Sequence, residues 1–454
     1  MRYLVGLILI AALALGGAWV VAGRMEGPAI EIGKPEQFVG VSTPLEVSVG
    51  VTATQLSDLR VVFEQNGAEV PLFSLAEPGE ATTRQDGDRV FVAGTISKET
   101  VPTLKSGTAR IVVTAARPVM YGLRDAESSA VRDVQVRLER PRVSVLSTHH
   151  YINHGGSEMI VYRVSPEDVE SGVVVGDLEY PGYPAAGVTV DGIRISDPAI
   201  RVAFFALLFD QDLNTPMRLY ARDPAGNTAR ADFDRRTFPK PFKRSRIQLD
   251  DPFLDRVVPA ILESTADVKP EGDTLAKFLA INGELRQKNA EQIASFAAQT
   301  APEMLWRGVV FHPFRNTAVE SAFADQRTYF YKGQEVDRQV HLGFDLASLA
   351  GAPILAANRG KVLFADELGI YGNCVIIDHG MGVQSLYAHL SSIDVQAGDM
   401  VEKEQTLGRS GMTGLAGGDH LHFTMLVHGR MVNPVEWWDA HWIEDRMLRK
   451  LRAN

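Results

Sequence analysis

Five residues in the last third of the chain have the types and spacing of a metal site with acid–base neighbours. They are His341 and Asp345 in His-Leu-Gly-Phe-Asp, His389 in Tyr-Ala-His-Leu, and His420 and His422 in His-Leu-His-Phe. Eight of the eleven histidines fall between His312 and His441, so the chemistry is concentrated there. His420 and His422, two apart on a strand, project from one face with Cα atoms ~7 Å apart, and both imidazoles reach one small volume. His341 and Asp345 would stand ~13 Å apart if fully extended. A turn at Gly343 is expected to bring both to one ion. Three side chains drawn from His341, Asp345 and one of His420 or His422, with a water, make a zinc site with an open position. Zinc lowers the pKa of such a water to about 7. One carboxylate leaves the site net positive, which suits an oxyanion. The two histidines left over are suited to pass a proton to a leaving amine and to stabilise a tetrahedral intermediate. The single cysteine, Cys374, excludes an intramolecular disulfide and any cysteine-based metal cluster.

The elements that must position these side chains read as strands and glycine turns. Asn373–Asp378 and His422–Val427 are strand-like, while Gly369–Gly372 and Gly414–Gly418 punctuate them. Residues 304–440 are therefore expected to form a compact, Gly-rich all-β domain. His379, beside Asp378, and His428, in Val-His-Gly, read as turn residues. Tyr371, Asn373 and Thr413 fall in loops able to line a groove. Residues 441–454 read as a basic tail, with Arg446–Arg452 on a surface helix.

The same region carries an ordered set of motifs: His341-x3-Asp345, Gly351-Ala-Pro353, Gly360-Lys-Val362, Tyr371-Gly372, Tyr387-Ala-His389-Leu390 and Gly411-Met-Thr-Gly414. Gly418-Asp-His420-Leu-His422-Phe423 and Asn433-Pro434 complete it. From about Phe311 to Trp438 the chain thus resembles the LytM-type, lysostaphin-like zinc endopeptidases of the M23 peptidase family. The resemblance implies one zinc per chain held by His341, Asp345 and His422, with His389 and His420 as the catalytic histidines that are not ligands. It also implies the substrate, the peptide cross-links of bacterial peptidoglycan. The alternative is a catalytically silent LytM-type regulator that activates another cell-wall hydrolase. Such a protein is expected to have lost a ligand, and all five positions are intact here.

The rest of the chain supplies context. At 454 residues, about three domains are expected. With 46 Lys+Arg against 56 Asp+Glu, the net charge of −10 argues against a nucleic-acid partner and gives no steering toward the carboxylates of peptidoglycan stems. Residues 1–24 are expected to be a signal anchor. The uncharged run Tyr3–Gly23 would reach about 30 Å as a helix, and that length favours an uncleaved transmembrane anchor over a cleaved signal. The bulk of the chain is then expected on the periplasmic side of the inner membrane.

Period-two alternation, as in Leu45-Glu-Val-Ser-Val-Gly-Val51, predicts a β-sandwich module over 28–139. Met159–Val164 and Val202–Leu208 predict a second over 140–236, both immunoglobulin-like. The expected role of these modules is spacing or contact with cell-wall or division proteins. His149, His150 and His154 are expected to mark a strand end rather than a metal site. Residues 237–303 are expected to be a solvated basic linker followed by helices. Thr274 is the expected N-cap there, Leu275, Phe278, Leu279, Leu285, Ile293 and Phe296 form an apolar face, and a break is expected at Asn282-Gly283.

Overall fold

Alternation of apolar and polar residues builds the first sheets. On Ser42–Val49, Leu45 and Val47 are buried while Pro44 and Glu46 face out. The computed structural model describes residues 2–51, 55–122, 124–190, 192–306 and 309–453, with strand at 46% against helix at 17%, a mainly β chain. It divides into two compact units. One comprises the residues up to Pro141 with Arg222–Ala229, and the other Arg142–Ala221 with Arg230–Asn454.

In the first unit, Ile30–Lys34, Ser42–Val49, Arg89–Ser97 and Thr82–Asp86 contribute to one sheet, and five strands from Phe38–Val39 to Gly107–Val119 and Arg124–Val136 to another. Leu45, Val47, Val61, Ile111 and Val113 fill one core between them. A parallel pair, Phe38–Val39 with Arg124–Val136, belongs to the second sheet, and immunoglobulin-like topology is not established. The segment Arg2–Ala22 is helical. Among the described residues no helix is long and apolar enough to cross a membrane. Side chains of the expected span, among them Leu4, Val5, Ile8 and Leu9, lie outside the described residues. The transmembrane expectation therefore stands without structural support.

The second unit corrects two expectations. In its N-terminal part, among the described residues, seven strands are linked in one order with two small two-stranded sheets beside them. Leu178–Pro184 pairs with Glu170–Val175 through its first half and with Ile200–Ala206 through its last, and an immunoglobulin-like topology is not established. Ile200–Ala206 is buried at every residue, and Phe204 and Phe205 share a core with Trp306, Phe311 and Trp437 of the C-terminal domain. The basic run is not a solvated linker. Arg235–Phe238 pairs in parallel with His150–Asn153, and Arg244–Leu249 pairs in parallel with Asp325–Tyr331. His150 sits at the strand start, buried, bridging Ser147 Oγ at 2.9 Å and the Asp234 carbonyl at 2.9 Å. Finally, the C-terminal stretch is no surface helix, because Trp442, Met447, Lys450 and Leu451 are all buried.

Lys450 donates to Glu158 Oε1 at 2.8 Å and to the Met159 carbonyl at 2.8 Å. Burial raises the pKa of Glu158 and lowers that of Lys450, and the attraction between the two opposes both shifts. Removing one partner strands the other in the core. Lys450→Ala should therefore cost about 3–5 kcal/mol of unfolding free energy, read by denaturant titration. A change within ~0.5 kcal/mol of wild type would show that the pair is not sealed from water.

The helical segment is part of the C-terminal domain. Asp251–Ser264 is capped by Asp250, which accepts from Phe253 N at 2.8 Å. Thr274–Ala280 is capped by Asp273 and not Thr274, through a 2.8 Å bond from Ala276 N. No break occurs at Asn282-Gly283. The helix widens into a π turn, Ile281–Leu285, and continues as Arg286–Ser295. Phe278, Leu285, Ile293 and Phe296 pack in one cluster with Cys374, Ile376, Leu386 and Leu426 of the domain's main sheet.

Candidate metal centre

Strand register brings the five residues together. In the ten-stranded sheet, Leu421–Val427 lies between Phe344–Ala347 and Val383–Ile393. Its His422 stands opposite Asp345 on one side and Ala388 on the other. His341 ends the strand Gln334–His341, opposite Asp325 of the neighbouring strand. His420 pairs with Gly411 just before the central strand. A single-residue slip of any of these strands would turn its site residue to the other face.

His341 Nε2 is 2.9 Å from Asp345 Oδ1 and 3.0 Å from His422 Nδ1, and His422 Nδ1 is 3.0 Å from that same carboxylate oxygen. All three residues are buried, and among the described residues they form a group able to hold a metal ion. His341 Nδ1 donates to the Ala322 carbonyl at 3.1 Å, which leaves Nε2 as the ring atom directed at the carboxylate. His422 Nε2, buried with no hydrogen-bond partner, leaves Nδ1 as that ring's atom directed at the cluster.

The chain bends at Gly343, as expected, between the strands that end at His341 and start at Phe344. Its φ is not left-handed, and a Cβ there would lie 2.5 Å from both Cε1 and Nε2 of His422. The ring of His422 occupies the space that a side chain would take.

His389 is aimed by a bulge. Asn373 pairs with Leu390 and Val375 with Tyr387, so Ala388 and His389 together face the single Cys374. His389 has φ of +62°, a left-handed conformation worth about 1–3 kcal/mol of strain in a non-glycine residue. Its Nδ1 donates to the Thr413 carbonyl at 2.8 Å. His420 Nδ1 likewise donates to the Gly418 carbonyl at 2.8 Å, and its Nε2 lies 3.5 Å from Asp345 Oδ1. Both rings therefore keep Nε2 for other work. Ring centroids of His389 lie 4.9 Å from His420 and 5.7 Å from His422.

The electrostatics separate the two. Burial drives the pKa of His389 well down, helped by His420 and His422. Burial also pulls on His420, but Asp345 overcomes it and the pKa rises. Burial takes His422 down to about 4, a neutral ring suited to ligation. Asp345 is pushed up by burial yet held well below the usual carboxylate range by His341 and its other donors.

All five side chains open on a cleft of about 920 Å³, and Phe278, Gly283, Arg286 and Gln287 of the helical segment line the same cleft. The helices are a wall of the groove. Tyr371 lines it too, its ring 5.6 Å from that of His422. Asn373 and Thr413 brace the loops instead, Asn373 N donating to Thr413 Oγ1 at 3.0 Å and Asn373 Nδ2 to the Leu390 carbonyl at 3.0 Å. His428 is a turn residue, φ +50°, and His379 is a buried one, bonded to Ser385 Oγ at 2.7 Å. Sequence reasoning missed Ser321, Asp325 and Arg327. The available signal was Asp325-x-Arg327 at period two on the strand whose Asp325 faces His341.

Comparison with known proteins bears on this region. Residues 339–434 match the model of Peptidase family M23. The DD-carboxypeptidase/endopeptidase Mpg of Neisseria meningitidis is 41% identical over 97 residues, 21% of this chain and 22% of that protein. The peptidoglycan DD-endopeptidase ShyA of Vibrio cholerae is 29% identical over 167 residues, 36% of this chain and 35% of its own length. The chain thus matches between about a fifth and a third of these relatives. A structure of a putative peptidase M23 from Pseudomonas aeruginosa aligns over 62% of this chain and 92% of its own, with 22% identity and a TM-score of 0.36. Residues 339–434, which carry His341, Asp345, His389, His420 and His422, are a Peptidase family M23 domain.

Proposed function

We propose that this chain is a zinc-dependent endopeptidase that cuts the peptide cross-links of bacterial peptidoglycan. The observation that carries the reading is the complete site: three converging donors and two further imidazoles in one cleft, within a matched M23 domain. The similarity to ShyA, a peptidoglycan DD-endopeptidase, supports the substrate class, and that to Mpg, a DD-carboxypeptidase/endopeptidase, supports peptide-bond hydrolysis.

His341, Asp345 and His422 would hold the ion, which supplies an acidified water and a Lewis-acidic centre when bound. The chain's own residues do the rest. His389, neutral and with Nδ1–H committed to Thr413, offers Nε2 to take up and return a proton at the scissile amide. His420, with its raised pKa, presents Nε2–H as a donor where negative charge develops on the carbonyl oxygen. The cleft walls, with Tyr371 and the π turn at Gly283, hold the peptide against them.

The purified full chain should release stem peptides from purified peptidoglycan, identified by mass, and a strong chelator should stop the release. No release in the presence of zinc, together with stimulation of a separate wall hydrolase, would install the regulator reading instead. The location we propose is outside the cytoplasm, with Tyr3–Gly23 as the exporting segment and, on its length, the anchor. A C-terminal reporter active only outside the cytoplasm should fall silent once residues 1–24 are deleted. Fractionation distinguishes the anchor from a cleaved signal.

A further inference from the structure

Asp345 has two oxygens, and they face different partners. Oδ1 faces His341 and His422, the side where an ion would sit. Oδ2 accepts from Arg327 Nη2 at 3.0 Å. Arg327 is largely buried on the strand Asp325–Tyr331, and the same Nη2 donates to Ser321 Oγ at 2.8 Å.

The guanidinium has its own counter-charge. Asp325 is almost wholly buried, and its Oδ2 lies 3.7 Å from Arg327 Nε. That oxygen accepts from Ser245 Oγ at 2.8 Å. Ser245 belongs to Arg244–Leu249, the strand added in parallel beside Asp325–Tyr331. A chain of alternating charge therefore runs from the basic segment before the helices to the donor cluster: Ser245, Asp325, Arg327, Asp345.

We infer that Arg327 is a positioning residue for the metal centre, held by Asp325 and Ser245, and that it presents Asp345 to the ion through Oδ1 alone. The inference rests on the reading of His341, Asp345 and His422 as metal ligands. A carboxylate whose second oxygen is bound to a guanidinium cannot swing to offer both oxygens. It also gives up electron density to the arginine, which leaves the ion a stronger Lewis acid. Groups that orient a ligand from behind in this way typically change metal affinity or activity by roughly 10–100-fold when removed. A structural brace alone predicts no change at the metal once the fold is kept.

The test uses the full chain and reads the metal directly. Zinc affinity is measured by competition with a chromophoric chelator, and the visible spectrum is recorded after loading the metal-free protein with cobalt. Arg327→Ala should bind zinc roughly 10–100-fold more weakly and shift the cobalt bands. Asp325→Asn should move both readouts the same way, and Arg327→Lys should recover part of the affinity. Arg327→Gln, close in volume, carries the test should Arg327→Ala lose its circular dichroism. Wild-type affinity with an unchanged cobalt spectrum in the folded arginine variants would overturn the inference. Neither measurement uses peptidoglycan, so failure of the substrate assignment leaves this result standing. A wild-type chain that binds no zinc would fail both.

Discussion

Alanine at either His341 or His422 should leave a folded protein that has lost its metal and its hydrolysis together. The two imidazoles supply two of the three donors, and their nitrogens face one another at 3.0 Å around Asp345 Oδ1. A site reduced to one histidine and one carboxylate falls short of the three protein ligands of a catalytic zinc centre. Turnover should fall by at least ~10³-fold, because the acidified water disappears with the ion. The fold should survive, since both rings, though buried, line the cleft. Metal content after dialysis, circular dichroism and peptide release from peptidoglycan are the three measurements. Variants that keep one zinc per chain and full turnover would refute the ligand set. Asp345→Asn is the stricter form. It preserves shape but removes the negative charge from the ligand set and leaves Arg327 with Asp325 as its counter-charge, so it should weaken metal binding without opening a cavity.

How much of this was legible in the sequence differs between residues. His420 and His422 could be placed on one face from their spacing alone, because the period of a strand is fixed by its backbone. Their neighbours could not. Asp345 meets His422 through the register of two strands whose paired residues lie 77 positions apart, and local spacing carries no information about that register. His389 is aimed by two residues opposing one, a feature set by the partner strand. Gly343 was legible only in part. The bend there could be read from the sequence, but not the room it leaves for a ring contributed by a distant strand.

The larger misreadings share one cause. The run from Arg235 to Arg246 is polar and proline-interrupted, so it reads as solvated linker. Its alternate residues instead lie in two parallel pairings with strands far away in sequence. The terminal basic stretch reads as surface because Lys and Arg seldom lie inside. Lys450 does, because Glu158 waits for it in another sheet. In each case the partner is distant in sequence, a strand for the backbone of the basic run and Glu158 for Lys450, whereas the apolar face Phe278–Phe296 was visible because its period is local.

His389→Ala and His420→Ala should behave in the opposite way to the ligand variants, keeping zinc while losing turnover. Neither ring belongs to the converging trio, and each commits Nδ1–H to a backbone carbonyl, Thr413 and Gly418 respectively. What each variant removes is an Nε2 atom facing the cleft. General acid–base help contributes typically ~10²–10⁴-fold, and an oxyanion donor ~10²–10³-fold, so kcat should fall by those factors with little change in KM. The two should differ in detail. His389→Ala also relieves the strain of a left-handed histidine only if alanine accepts φ near +62°, which it does poorly, so its stability should not rise. His420→Ala removes one donor from Asp345 and should shift the cobalt spectrum slightly while His389→Ala leaves it unchanged. Zinc lost from both variants would make these histidines part of the ligand set. Zinc and turnover both retained would leave the chemistry to the ion alone, and the cleft's paired imidazoles would need another purpose.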